Sequence, residues 1–385
     1  MEKVLILLIL LTPYNHFGDC KAITVFQWPN GKVQVAWPNS TWFRQHGGKS
    51  VSVIGIKIWA DKIYVTVPRW YGNSHPLNLA VLDRPKTDDE LPNTGALRPF
   101  PDWEMQRLGD CDAFQYVQSM EVERSGVMWL PDMGRQLKKS STRSSCPAKI
   151  ILLDLKMKTI ISKHNFPESV VPKQSSFLND ITLNVANEDD KYAYISDSER
   201  GVLVVYSLAR NSSWLVRHSS MRADLRGATF NFINPPARLR IDDNNINGVA
   251  VSSACSGSQY LFYSPLTSLN LFKIKTSALN ENKEDVNDDV TVVGTKSSQT
   301  DGIASDNQGN LYMQEITGNA LDMWNTRKSW NPRRLVQDNE TLIWADTLAI
   351  DDQGYLWTTS RGWPIDIQPR IVKSFVGDVK PFDYC

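Results

Sequence analysis

Histidine and cysteine are scarce in this chain, five of each among 385 residues. His16 sits in the N-terminal leader. His46, His75, His164 and His218 share no metal-ligand or catalytic spacing, so each reads as a surface or loop residue. No CxxC pair is present, which removes the usual zinc-ribbon and thiol-redox arrangements. The HExxH, GxSxG, P-loop and GxGxxG signatures are missing too, so no motif nominates a catalytic residue, a metal or a cofactor. Charge of one sign is also lacking: 42 Lys and Arg balance 42 Asp and Glu. That balance gives no electrostatic reason to expect nucleic acid or an anionic membrane as partner. Hydrophobic runs of spanning length do not occur. The apolar stretch at 4–11, behind Lys3, falls well short of the ~20 residues a membrane helix needs. It has the form of a secretory signal peptide, expected to cover residues 1–20 with cleavage near 18–22.

The remainder, 21–385, is expected to be a single secreted, extracellular domain acting as a monomer. Cysteine usage agrees with an oxidising compartment. Cys20 lies in the cleavage region, which leaves Cys111, Cys146, Cys255 and Cys385, an even set with three pairings open. Sequence proximity favours Cys111 with Cys146, and then Cys255 with Cys385. Sequons at Asn39, Asn211 and Asn339 suit a glycosylated surface.

What the sequence does have is aromatic residues and a repeat. Thirteen Trp, twelve Tyr and thirteen Phe suit an all-β chain with large buried side chains. Six times a short apolar strand is followed by a turn and a second strand carrying an aromatic. The clearest copies run from Asp301-Gly302-Ile303-Ala304 to Gly309-Asn310-Leu311-Tyr312, and from Asp346-Thr347-Leu348-Ala349 to Gly354-Tyr355-Leu356-Trp357. Looser copies begin at Gly55, Ser119, Asp180 and Gly248. The spacing of roughly 45–70 residues is that of propeller blades rather than helical solenoid units. The fold class is therefore all-β, a six-bladed β-propeller. Such a ring must close, and residues 22–35 are placed to give a strand to the last blade. The polar stretches 92–101, 138–145 and 280–289 read as surface loops.

In a propeller the innermost strands line a central channel. Asn179, Asp180, Asn247, Asp301 and Asp346, at the starts of repeats, would converge near one of its mouths. Two readings apply to them. Such residues hydrogen-bond their own turns, or a ring of their oxygens holds a hard cation or a protonated amine.

More specific stretches lie between the repeats. They include Val67-Pro68-Arg69-Trp70-Tyr71-Gly72-Asn73, Asp132-Met133-Gly134-Arg135, Cys146-Pro147-Ala148-Lys149, Tyr263-Ser264-Pro265-Leu266 and Asn319-Ala320-Leu321-Asp322-Met323-Trp324. With these the chain, from about Trp28 onward, closely resembles the major royal jelly/yellow protein family. The resemblance implies a secreted, disulfide-bonded, six-bladed propeller. It also implies one of several roles: binding of biogenic amines in the channel, conversion of dopachrome in pigmentation, or a structural or nutritive function. In the amine binders the last blade contributes a Thr, an Asn and a Phe. Alignment on Asp351 and Leu356-Trp357 puts Asp346, Arg361 and Trp363 at those positions. Trp363 keeps an aromatic that can stack on an indole or catechol. Asp346 can pair with an ammonium, whereas Arg361 brings a permanent positive charge that opposes one unless Asp346 neutralises it. The candidate ligand-binding set is thus Asp301, Asp346, Arg361 and Trp363. A metal-dependent, lactonase-like use of the Asp/Asn ring is a further alternative.

Overall fold

The recurring Asp-x-x-Gly turn has a local physical cause. Asp351 Oδ1 accepts the backbone N–H groups of Gln353 and Tyr355 at 2.8 and 2.9 Å, and Oδ2 accepts the Trp357 indole N–H at 2.7 Å. Asp306 repeats the pattern with Gln308 and Asn310, both at 2.9 Å, and with the Tyr312 hydroxyl at 2.8 Å. Glu123 reaches the Trp129 indole in the same way at 2.7 Å. In these three copies one carboxylate pins the aromatic of the following strand, and at Asp306 and Asp351 it also closes the turn. Gly309 and Gly354 both sit at φ +83°, in the left-handed region where a side chain is strained.

The computed structural model describes residues 20–29, 32–46, 51–70, 75–89, 91–135, 146–253, 258–284, 286–360 and 368–383. Residues 1–19 of the expected leader, Cys255, Cys385, Arg361 and Trp363 lie outside the described residues.

Six four-stranded antiparallel sheets follow one another along the chain. From the inside outward, blade one is Ile56–Trp59, Lys62–Thr66, Leu79–Asp83 and Arg98–Pro99. Blade two is Glu121–Val122, Val127–Asp132, Lys149–Asp154 and Thr159–Asn165. Blade three is Leu178–Asn184, Tyr192–Asp197, Val202–Ser207 and Ser212–Val216. Blade four is Ile246–Val251, Tyr260–Pro265, Asn270–Lys275 and Val290–Thr295. Blade five is Ile303–Ser305, Asn310–Glu315, Ala320–Asn325 and Arg333–Gln337. Blade six takes Ala345–Ile350, Tyr355–Ser360 and Arg370–Phe375 from the C-terminal part, and its outer strand, Ile23–Gln27, from the N-terminal part.

The innermost strands meet in chain order, and Ala345–Ile350 packs against Ile56–Trp59 to complete the circle. The N-terminal strand expected within 22–35 thus closes the ring, pairing Ile23 with Lys373 and Gln27 with Arg370. Each blade is covered by a neighbour on both faces, so strands such as Val202–Ser207 are buried at every position. Between blades two and three the packing is Trp129, Ile181, Leu183 and Tyr206; between three and four it is Tyr194, Val249, Leu261 and Tyr263.

Two of the expected loops carry more structure than their composition indicated. The 92–101 stretch holds the outer strand Arg98–Pro99, and its Asn93 and Leu97 bridge to Phe26 and Val35. Proline is tolerated there because an outermost strand has an edge that needs no donor. The 280–289 segment buries Val286 against blades three and four. Residues 136–145 lie outside the described residues. An unanticipated hairpin, Thr229–Phe232 with Ala237–Arg240, separates blades three and four. Among the described residues no helix is long and apolar enough to cross a membrane.

Candidate functional site

One channel mouth is built by all six blades. Ile54, Gln118, Asn179, Asp180, Asn247, Asp301 and Asp346 line it, at or just before the inner strands. The five Asp and Asn residues singled out in the sequence therefore do converge. Asp301 and Asp346 are buried, each 6% exposed, as is Asn247. Asn179 donates its amide to the Asn247 carbonyl oxygen across the seam of blades three and four. Gly302 N donates to Asp346 O at 3.0 Å, which ties blade five to blade six beneath the mouth.

Asp180 sits where the mouth narrows into the channel and lines both spaces. Its Oδ1 accepts the Ser119 hydroxyl at 3.0 Å and its own Ile181 N–H at 2.9 Å, and Oδ2 accepts Val249 N–H at 3.1 Å. Burial pushes its carboxyl up to about 6, against the opposing pull of the Lys57 ammonium. Lys57 itself points into the channel and pairs with Glu121 at 2.9 Å.

The channel below is narrow. It holds about 50 Å³ and is floored by Pro381 and Phe382. The C-terminal segment crosses the opposite face of the ring. Gln308 Nε2 donates to Asp378 O at 2.6 Å, Lys380 N donates to Asn307 Oδ1 at 3.0 Å, and Arg124 N donates to Asp383 Oδ2 at 2.7 Å. Phe382 is buried with the apolar cluster of blades two and three.

Three of the stretches that carried the family resemblance, those with Arg69, Asp132 and Lys149, brace one side of the mouth. Asp132 and Lys149 are fully buried and pair at 3.1 Å. Asp132 also accepts the N–H groups of Gln115, Tyr116 and Gly134, each at 2.8 Å. Arg69, 1% exposed, donates to the carbonyls of His75, Pro76, Gln106, Phe114 and Gln115. Burial pushes its guanidinium down to about 10, and Asp132 pulls it back up. The Cys111–Cys146 disulfide, expected from proximity, closes the same loop. Together they hold the segment leading to Gln118 and Ser119. His75, read as a surface or loop position, is buried at 4% exposure, and its Nδ1 accepts Leu77 N–H at 3.1 Å.

Three aromatic contacts were missed from sequence. Trp70, partly exposed, donates its indole N–H to Gln118 Oε1 at 3.1 Å and so flanks the mouth. Trp344 donates to Asp301 Oδ2 at 2.8 Å and stacks on Phe230 of the inserted hairpin, with centroids 5.6 Å apart. Phe177 packs edge-on to Tyr116 at 6.0 Å. Nothing in one sequence places a hairpin from between blades three and four against a tryptophan ahead of blade six.

Among the described residues no group of three or more His, Cys, Asp or Glu side chains is arranged to hold a metal ion. The three sequon asparagines Asn39, Asn211 and Asn339 are all exposed. In each the side-chain oxygen accepts a bond, from Thr41 N–H, the Tyr206 hydroxyl and the Asn319 amide respectively. The amide nitrogen, the atom a glycan takes, is not the accepting atom.

Known proteins match the chain over most of its length. Protein yellow of Drosophila yakuba is 26% identical over 358 residues, covering 88% of this chain and 63% of that protein. Protein yellow of Drosophila melanogaster is 27% identical over 329 residues, covering 81% and 58%. The chain thus spans about three fifths of the length of these relatives. Among solved structures, a luciferin-regenerating enzyme aligns at 12% identity and TM-score 0.48, over 87% of this chain and 95% of that one. A streptogramin B lyase aligns at 12% identity and TM-score 0.45, over 89% and 95%. Residues 115–372 match the family model described as major royal jelly protein. With that match over two thirds of its length, the chain belongs to the major royal jelly protein family, to which the yellow proteins are related.

Proposed function

We propose that this chain is a secreted, monomeric yellow-type propeller that binds a small aromatic amine or catechol-derived molecule at the Asp/Asn mouth. The observation that carries the reading is the convergence of Asp180, Asp301 and Asp346 with two asparagines on one mouth, beside the partly exposed Trp70. Carboxylates there favour an ammonium, and the indole supplies a face for an aromatic ring. Size decides how such a ligand sits. The channel's 50 Å³ is far below the ~300–1,000 Å³ of typical ligand sites, so only the amine enters and the ring stays on the outer face. Titration calorimetry with serotonin, dopamine and catechol tests this. Asp346→Asn should weaken the two amines at least about tenfold, the value of one charge-assisted hydrogen bond, and leave catechol little changed. Trp363→Ala probes the position assigned through the family resemblance. Flat titrations with all three compounds would sink the reading.

Asp180 favours a second, enzymatic reading. A carboxyl held near 6 beside a hydroxyl is suited to accept a proton near neutral pH, as tautomerisation of dopachrome requires. Dopachrome absorbance decaying no faster with active protein than with heat-killed protein removes this alternative.

A further inference from the structure

A second cavity, sharing no lining residue with the mouth, lies on the seam between blades three and four. It is an open cleft of about 480 Å³, nearly ten times the channel's 50 Å³, and falls within the ~300–1,000 Å³ of small-molecule sites. Its wall is the segment that leaves the outer strand of blade three, with Arg217, His218, Ser219 and Arg222, faced by Glu284 from blade four. The segment is held in place from behind. His218 Nδ1 accepts Ser220 N–H at 3.1 Å, Ser220 Oγ meets the Tyr263 hydroxyl at 2.6 Å, and Met221 is fully buried. Ala223 N donates to Asn245 Oδ1 at 2.9 Å. Arg222 lies across Gly201, where a Cβ would meet its Cγ at 3.2 Å and where φ is +64°. A side chain at 201 would be strained by its backbone and crowded by Arg222 and Asn245.

The polar groups of this cleft are almost all donors. Arg217 meets Glu284 through Nε, which leaves its two Nη groups for other acceptors. Arg222 has no carboxylate within ion-pair distance among the described residues; the nearby Asp224 is taken by Arg226. His218, with Nδ1 accepting, keeps its proton on Nε2. Ser219 adds a hydroxyl. Among the described lining residues two guanidiniums face a single carboxylate, so they carry one net positive charge, and the Asn287 amide on the same wall can donate as well as accept. The cleft's complement is a planar or tetrahedral oxyanion, which guanidinium forks bind with matched geometry.

We propose that this seam cleft binds the carboxylate, phosphate or sulfate group of a small organic acid, independently of the channel mouth. The test is calorimetry and thermal unfolding with inorganic phosphate, sulfate and citrate at constant ionic strength, with chloride as reference. Wild type should show saturable heat and a raised Tm with at least one of the three. Arg222→Gln should weaken that binding at least tenfold. Its circular dichroism and its Tm in chloride should match wild type, because Arg222 is exposed. Arg217→Gln serves as an independent second variant and should weaken it similarly. Equal behaviour in chloride and all three oxyanions, or undiminished binding in both variants, would overturn the proposal.

Discussion

Removing the Asp132 carboxylate should be among the most damaging single changes in this propeller. The side chain has no exposure, accepts three backbone N–H groups at 2.8 Å, and pairs with the equally buried Lys149 at 3.1 Å. It is also the charge that supports buried Arg69. Asp132→Ala therefore strands a buried ammonium whose remaining partner is Ala113 O at 3.1 Å, and it orphans three donors. Breaking a buried pair from one side costs about 3–5 kcal/mol. Lys149→Met removes the cation instead. Asp132 then keeps its three N–H groups and the nearby guanidinium, so the loss should be smaller, about 2 kcal/mol. Urea unfolding followed by tryptophan fluorescence and circular dichroism measures both. The midpoint should fall with little change in slope, further for Asp132→Ala than for Lys149→Met. The double variant should recover part of the Asp132→Ala loss, because no ammonium is left unpaired. The reasoning fails if Asp132→Ala costs under about 1 kcal/mol, or no more than Lys149→Met. The same variant should disturb the mouth, since Asp132 grips the chain just ahead of Gln118 and Ser119.

Three other outcomes follow from the geometry. Phe382→Ala should cost about 3–5 kcal/mol, the usual price of emptying a buried phenylalanine site, and should speed amide exchange at Arg124, whose N–H bonds Asp383; unchanged exchange and stability would mean the C-terminal segment does not seal the channel. Amine affinity at the mouth should fall as pH drops through about 6, because Asp180 becomes neutral there and stops attracting a cation; calorimetry at pH 7.5 and pH 5 giving equal affinities contradicts this. Replacing Cys111 and Cys146 by serine opens a loop spanning 35 residues, which chain entropy values at about 4 kcal/mol, read as a lower unfolding midpoint.

The fold was legible because a propeller repeats its physics. Each Asp-x-x-Gly turn with its aromatic, as in Asp306 to Tyr312 and Asp351 to Trp357, is a local structure whose bonds span a few residues. Local bonds leave a readable spacing. The same bonds explain why Asp306 and Asp351 are not ligand candidates: their carboxylates are spent on closing turns. The carboxylates at the mouth, Asp180, Asp301 and Asp346, lie at or just before the starts of the inner strands rather than after them, and topology brings them together.

The chain's own order of residues thus determined the number of blades, the use of an N-terminal strand as closure, and the Cys111–Cys146 pairing, because each rests on short-range pattern or proximity. Only the tertiary structure decided what depends on distant segments meeting. It set the width of the channel and floored it with Phe382, made Trp70 the neighbour of the mouth, and backed Asp301 with Trp344. It also turned Arg69, Asp132 and Lys149 from a family signature into a buried charge cluster. Side chains from unrelated positions share these sites because ring closure, not sequence distance, sets what they touch.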